Sequence, residues 1–341
     1  MHVAVRRGYR GLLNVEEQPH RTVFLSDFPL PPSEIRRVKR ALRGVPTTPT
    51  FLVVQRDDAL RRLLAHGVAF DREYVSLHSM ISREENLGIP DKLFRACRRG
   101  DLAMFEVPLR NERFHSSFAD DVLTVVLKAD YGEQERIATR FFTLLAARVP
   151  YEVTIRTSGG IVTIADRRAW FDLAGKLRDR EKRILPGGEV AYTGDRIDGS
   201  FVADGAILAT PQAVPAASDA IRLGRCSVGL ARNPLRIEIR CGRVVAASGG
   251  TAAAELKRLF ALDARYRNVT EVGISFNRAC RTFVHDRPFA ANEGRPGVHL
   301  ALGGDPDEAE RGEGTPLVHA DFMAANCAVS VNDHPFLRAS S

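Results

Sequence analysis

The chain has 341 residues, a formal net charge of +7 and an apolar fraction of 44%, which predicts a soluble globular protein with one large or two smaller domains. No apolar run approaches the ~20 residues of a membrane-spanning helix, and the N-terminus lacks the long apolar core of a signal peptide. The 5 cysteines are scattered and form no CxxC pair, which argues against a zinc ribbon and favours a reducing, cytoplasmic setting.

The first part of the chain alternates between strand and helix patterns. The runs 22–25 and 51–54 are typical of short strands, and a strongly basic helix is predicted between them over 33–43, with Ser33 as its N-cap. Further elements are expected downstream: helices over 57–66, 91–98 and 134–148, and a buried strand over 122–127. This alternation predicts an α/β layer for residues 1–150.

The basic helix carries Arg36, Arg37, Lys39 and Arg40. Such a pattern is typical of a solvated helix face, and the alternative is a binding site for an acidic peptide segment. Nucleic acid is not expected as a partner, because aromatic residues do not interleave with the basic ones as RNA-binding surfaces require.

From residue 151 onward the pattern changes to β-strands. The segments 151–156 and 160–164 alternate apolar and polar residues around Ser158-Gly159, which predicts a hairpin. Strand patterns continue at 201–208 and 235–240, and one helix is predicted over 251–262. These patterns predict a second, β-rich α+β domain over 151–341.

The second part also contains a constellation of potential metal ligands. His319 and Asp321 are two residues apart in a strand-like run, so their side chains should project from the same face. His299, Glu271 and Glu189 each lie in an apolar or glycine-rich run, where an unpaired polar side chain is costly. Two imidazoles and three carboxylates can hold two divalent metals, which indicates hydrolysis rather than binding alone.

Four segments in order, LPGGEV, EVGISFN, GVHLALGGD and VHADFM, resemble the thermophilic-type leucyl aminopeptidases, a family of dinuclear metallopeptidases. The resemblance extends over about 151–330. It implies a peptide substrate, a homodimer, and two zinc, cobalt or manganese ions whose activated water attacks the scissile carbonyl. The ligands that it implies are Glu189, Glu271, His299, His319 and Asp321. The N-terminal domain would then select the peptide.

Two departures from that family leave alternatives open. Residues 303–307 contain no tyrosine, and Phe276 is expected to place a bulky ring near the site. A non-catalytic or specialised peptide-binding protein in peptide maturation is therefore one alternative. The other is a mononuclear Fe(II) ring-cleaving enzyme, since the 2,5-dihydroxypyridine dioxygenases resemble the same scaffold. The carboxylate of Glu271 favours the peptidase, because the dioxygenases have a histidine at the corresponding position.

Overall fold

The structure is a computed structural model of the chain. It describes residues 20–26, 29–30, 32–41, 43, 47–53, 74–80, 100–105, 125, 128–147, 151–166, 169–175, 182–185, 187–211, 216–285, 291–304 and 317–339. Within these ranges, no helix combines the length and the apolarity needed to cross a membrane.

The strands of the described residues follow one another along the whole chain. They are β1 His20–Ser26, β2 Thr47–Val53, β3 Tyr74–Met80, β4 Gly100–Phe105, β5 Val153–Thr157, β6 Gly160–Ile164, β7 Trp170–Asp172, β8 Lys182–Leu185, β9 Glu189–Tyr192, β10 Ile197–Ala203, β11 Ile207–Pro211, β12 Leu235–Arg240, β13 Arg243–Ser248, β14 Val269–Ser275, β15 Gly297–Gly303, β16 Val318–Ala324, β17 Cys327–Val331 and β18 His334–Ala339. The α-helices are α1 Pro32–Ala41, α2 Tyr131–Ala146, α3 Ala217–Arg225, α4 Gly250–Leu262 and α5 Ala291–Gly294, with short 3-10 helices at Cys226–Gly229 and Ala264–Arg267.

The chain forms two compact units, each built from two segments. The first unit comprises Met1–Glu135 and Gly175–Gly187, and the second comprises Arg136–Ala174 and Gly188–Ser341. The functional division into 1–150 and 151–341 stays a prediction.

The first unit contains a parallel sheet of five described strands in the order β2-β1-β3-β4-β8. Helix α1 connects β1 to its parallel neighbour β2, so the predicted strand–helix–strand arrangement is confirmed. The helix begins at Pro32, whose fixed φ suits the first helical position, and Ser33 lies inside the first turn rather than at the cap.

Other predictions for this part of the chain have different outcomes. Val125 is helical and buried, and its carbonyl accepts a hydrogen bond from the Ala129 amide at 3.0 Å, so the strand predicted over 122–127 is wrong there. A short apolar run does not distinguish a buried strand from a buried helix, which explains the error. The helices predicted over 57–66 and 91–98 lie outside the described residues.

The second unit contains two antiparallel sheets. Seven described strands run in the order β13-β12-β10-β6-β5-β17-β18, and six run in the order β11-β16-β15-β14-β9-β7. The predicted hairpin is formed by β5 and β6, and Gly159 adopts a φ of 88° in its turn, where an L-residue would be strained. The expected α/β class with a β-rich C-terminal part is confirmed.

A hydrophobic core joins the two sheets of the second unit. Ile155 and Val329 enter it from the seven-stranded sheet, and Leu300 and Phe322 enter it from the six-stranded sheet. Because side chains alternate along a strand, the six-stranded sheet has its second face free for other residues.

Candidate metal centre

All five predicted ligands lie on that second face of the six-stranded sheet. Directly paired residues of neighbouring strands project from the same face. The pairings that fix the arrangement are Ser275 with Glu189, Gly273 with His299, Glu271 with Ala301, Ala301 with Asp321, and Gly303 with His319. Strands β9, β14, β15 and β16 therefore bring together residues that are up to 132 positions apart in the chain, from Glu189 to Asp321.

The intervening residues on these strands explain why this face holds the polar groups. Val272, Leu300 and Phe322 alternate with the predicted ligands and are fully buried in the core between the sheets. A shift of β9, β14 or β16 by one position would place a carboxylate in that core, and a shift of β15 would place the His299 imidazole there, so the hydrophobic alternation fixes the register of the site.

Glu189, Glu271 and His299 form the first group of potential ligands. Nε2 of His299 lies 3.5 Å from Oε1 of Glu271 and 3.7 Å from Oε2 of Glu189. One ligand atom from each residue lies within 4.8 Å of the others. Ligand atoms bound at ~2.0–2.1 Å in a tetrahedral zinc site are about 3.3–3.4 Å apart, so this spacing is close to that of a metal site. These three residues could hold a metal ion.

His319 and Asp321 form the second group. Nε2 of His319 lies 3.2 Å from Oδ1 of Asp321, and Nδ1 of His319 lies 2.8 Å from the carbonyl oxygen of Gly304. A carbonyl only accepts hydrogen bonds, so Nδ1 is the donor, and in the neutral imidazole the lone pair is then on Nε2. Metal-binding histidines commonly have this outer hydrogen bond, which fixes the ring and its tautomer.

Glycine at position 273 provides the space for the His299 ring. A Cβ placed on Gly273 would overlap Cε1 and Nε2 of His299. The backbone of Gly273 is that of an ordinary strand residue, so the requirement for glycine here comes from the imidazole and not from φ. The sequence alone did not identify this role.

A second contact that the sequence did not reveal orients Glu189. The hydroxyl of Ser275 is fully buried and donates a hydrogen bond to Oε2 of Glu189 at 3.0 Å. Nδ1 of His299 and Oδ2 of Asp321 are buried and have no hydrogen-bond partner among the residues that the structure describes. Buried polar atoms are normally satisfied, so atoms of this kind, next to three carboxylates and two imidazoles, fit a site built for a cation.

The proximity of these groups shifts their pKa values. Burial raises the pKa of Glu189 to about 7. Burial opposes protonation of both imidazoles, but their carboxylate neighbours outweigh it and raise the pKa to about 9 for His299 and to about 10 for His319. Burial likewise opposes ionisation of Asp321, yet contact with His319 and His299 lowers its pKa overall. Without metal, both imidazoles are therefore protonated at neutral pH, and a metal ion would have to displace those protons.

One residue of the motifs, Phe276, has a role that differs from the expectation. Phe276 was expected near the site, but its ring lies in the hydrophobic core, because it alternates with the site-facing Ser275. Glu293, on α5, is near enough to Asp321 to help lower the pKa of that carboxyl, so it lies beside the second group. Residues 305–307 of the tyrosine-free segment lie outside the described part of the chain.

The fold and the site thus define a β-rich unit with a carboxylate–histidine cluster, and comparisons with known proteins add a family likeness. The model of a family described as crocagin biosynthetic protein CgnE/B matches residues 185–332, which is less than half of the chain. No curated protein matches the chain. A solved structure of wild-type AmpT from Thermus thermophilus is similar with a TM-score of 0.50, at 14% sequence identity, over 99% of this chain and 97% of that one. At this identity the likeness concerns the fold alone.

The expected membership in the thermophilic-type leucyl aminopeptidase family is wrong. All four motifs that suggested it lie within or overlap residues 185–332, the segment that matches the crocagin biosynthetic family model instead. The more distant resemblance to the 2,5-dihydroxypyridine dioxygenases is overturned by the same match. The physical reason for the error is that metal binding demands the same few residue types in different families, so such motifs do not identify one family.

Proposed function

We propose that this protein hydrolyses a peptide bond with two divalent metal ions, zinc, cobalt or manganese, held by the five residues of the candidate metal centre. The observation that carries the proposal is that three carboxylates and two imidazoles meet on one sheet face, with Nε2 of His299 3.5 Å and 3.7 Å from two glutamates. A bound divalent ion would supply Lewis acidity and lower the pKa of its water.

The protein's own groups position the ligands for that role. Ser275 donates a hydrogen bond to Oε2 of Glu189, the same oxygen that faces Nε2 of His299, and so orients this carboxylate toward the site, and Gly304 fixes the tautomer of His319. The hydrophobic face of the sheet holds all the strands in register, so the ligand positions are set before any metal binds.

The charges around the site favour a neutral amide over a phosphate ester as substrate. Among the described residues, the charged groups with the strongest effects on Glu189, His299, His319 and Asp321 are one another and neighbouring carboxylates, and none of them is a Lys or Arg. Sites that transfer or bind phosphate usually provide such cations. A carboxylate-rich site also suits the ammonium group at the start of a peptide, which supports cleavage near an N-terminus.

The test is turnover of leucyl-glycyl-glycine and trialanine by the zinc-loaded full chain, with products identified by mass spectrometry. Glu271→Gln should reduce kcat/KM by at least about 100-fold, because it removes a ligand charge. Glu238→Gln, an exposed glutamate on β12, is the matched control and should change it less than twofold. Equal activity of wild type and Glu271→Gln would contradict the proposal.

A second candidate is a specialised peptide-binding protein in biosynthesis, which the match to a family described as biosynthetic favours. It predicts binding of peptide without release of products. Isothermal titration with the same two peptides, alongside the turnover assay, separates the candidates, since binding without turnover in the metal-loaded protein would favour this one.

A further inference from the structure

Two large apolar side chains are exposed next to each other at the edge of the six-stranded sheet. Phe171 is 50% exposed and Leu173 is 37% exposed, and they lie on β7 and directly after it. Isolated exposed apolar residues are common, but two neighbouring ones on a sheet edge promote unwanted association between protein molecules. We call Phe171 and Leu173 the apolar shelf.

The register of β7 places the apolar shelf on the same face as the candidate metal centre. Phe171 pairs directly with Ala191, and the Leu173 amide donates a hydrogen bond to the Glu189 carbonyl at 3.1 Å. Ala191 pairs in turn with Gly273, which lies under the His299 ring. Phe171 is therefore two strand spacings, roughly 10 Å, from Gly273.

The fold does not need the apolar shelf for its own core. Trp170 and Ala174 point the other way and are buried in the core, where the Trp170 ring packs 5.2 Å from that of Tyr192. The inward-facing residues thus anchor this edge without help from Phe171 or Leu173.

We infer that the apolar shelf binds an apolar side chain of the peptide whose scissile bond lies at the candidate metal centre. The inference rests on the proposed function and adds a substrate class to it, namely peptides with a large aliphatic or aromatic residue next to that bond. The location of the apolar shelf indicates what it would bind. A peptide residue held at Glu189 and His299 has the apolar shelf beside it on the same sheet face. Contact between that residue's apolar side chain and the apolar shelf would remove the exposed surfaces of both from water.

The experiment measures binding of L-leucine hydroxamic acid and glycine hydroxamic acid to the zinc-loaded full chain by isothermal titration. Both compounds bind zinc through the same group and differ only in the side chain. Leucine hydroxamic acid should bind at least about tenfold more tightly. In Phe171→Ser/Leu173→Ser that ratio should fall below about threefold, while the affinity for glycine hydroxamic acid stays the same.

The control Ile161→Ser removes an apolar side chain of similar exposure, 46%, from β6 in the other sheet and should retain the wild-type ratio. Retention of the full ratio in the double variant, or no preference for leucine in the wild type, would overturn the inference and leave the metal centre intact. If neither compound binds the zinc-loaded protein, the proposed function fails, and the inference fails with it.

Discussion

The most direct structural prediction concerns Gly273. In a strand without obstruction, Gly→Ala stabilises a protein by about 0.5–1 kcal/mol, because glycine loses more conformational freedom on folding. Here the new methyl group would overlap the buried His299 ring, and overpacking of this kind costs about 1–3 kcal/mol. We therefore expect Gly273→Ala to lower the free energy of unfolding of the metal-free protein.

The cause can be isolated with a double-mutant cycle. In a His299→Ala background the ring is absent, so Gly273→Ala should become neutral or stabilising by up to about 1 kcal/mol. The coupling between the two positions should then be about 1–4 kcal/mol, above the additivity error of roughly 0.5 kcal/mol.

The assay is urea unfolding of the four proteins after treatment with a chelator, provided that each unfolds in a single transition. The same cost for Gly273→Ala with and without His299 would refute the reasoning, because the methyl group would then be clashing with something other than the imidazole.

Three further predictions follow from the described contacts. First, the pKa values of about 9 for His299 and about 10 for His319 lie above the ordinary 6.5. The two protonated imidazoles therefore stabilise the folded protein fully below pH 6.5, and this stabilisation is lost as the pH rises toward those values. The metal-free protein should lose at least about 2 kcal/mol between pH 6.5 and about 8.5, and thermal unfolding of His319→Asn should show a smaller loss. Second, Ser275→Ala removes the hydrogen bond to the Glu189 carboxylate and should weaken zinc binding by about 10-fold or more in calorimetric titration; unchanged affinity would show that the hydroxyl does not orient this ligand. Third, Asn332 has a φ of 49° and its side chain bonds the Glu152 amide and the Leu144 carbonyl. Asn332→Ala should destabilise by about 2–3 kcal/mol in urea unfolding, and Asn332→Gly should recover only the backbone part of that loss.

The sequence predicted those parts of the fold that depend on local patterns. The hairpin of β5 and β6 and the helix α4 follow from alternation, turn residues and helical spacing. Val125 shows the limit, since a short buried apolar run has no distinctive period. The sheet orders were not predicted, because pairing between strands far apart in the chain depends on tertiary packing.

For the candidate site, too, the sequence predicted some features, and others depend on tertiary packing. The structure brings Glu189, Glu271 and His299 together, within reach of a common ion, and places His319 and Asp321 beside them. The supporting contacts from Ser275 and Gly273 could not be predicted, since they depend on the register between β9, β14 and β15. The motifs also did not identify the family, because they reflect the residue types that metal binding needs and not common ancestry.

The central claim is that this sheet face binds divalent metal. The most direct measurement is elemental analysis of the full chain, purified without chelator and dialysed against zinc, for the wild type, for His319→Ala and for the control Glu238→Gln. We expect about two ions per chain in the wild type and in the control, and fewer in His319→Ala. Absence of bound metal from the wild type, even after reconstitution with zinc, cobalt or manganese, would contradict it.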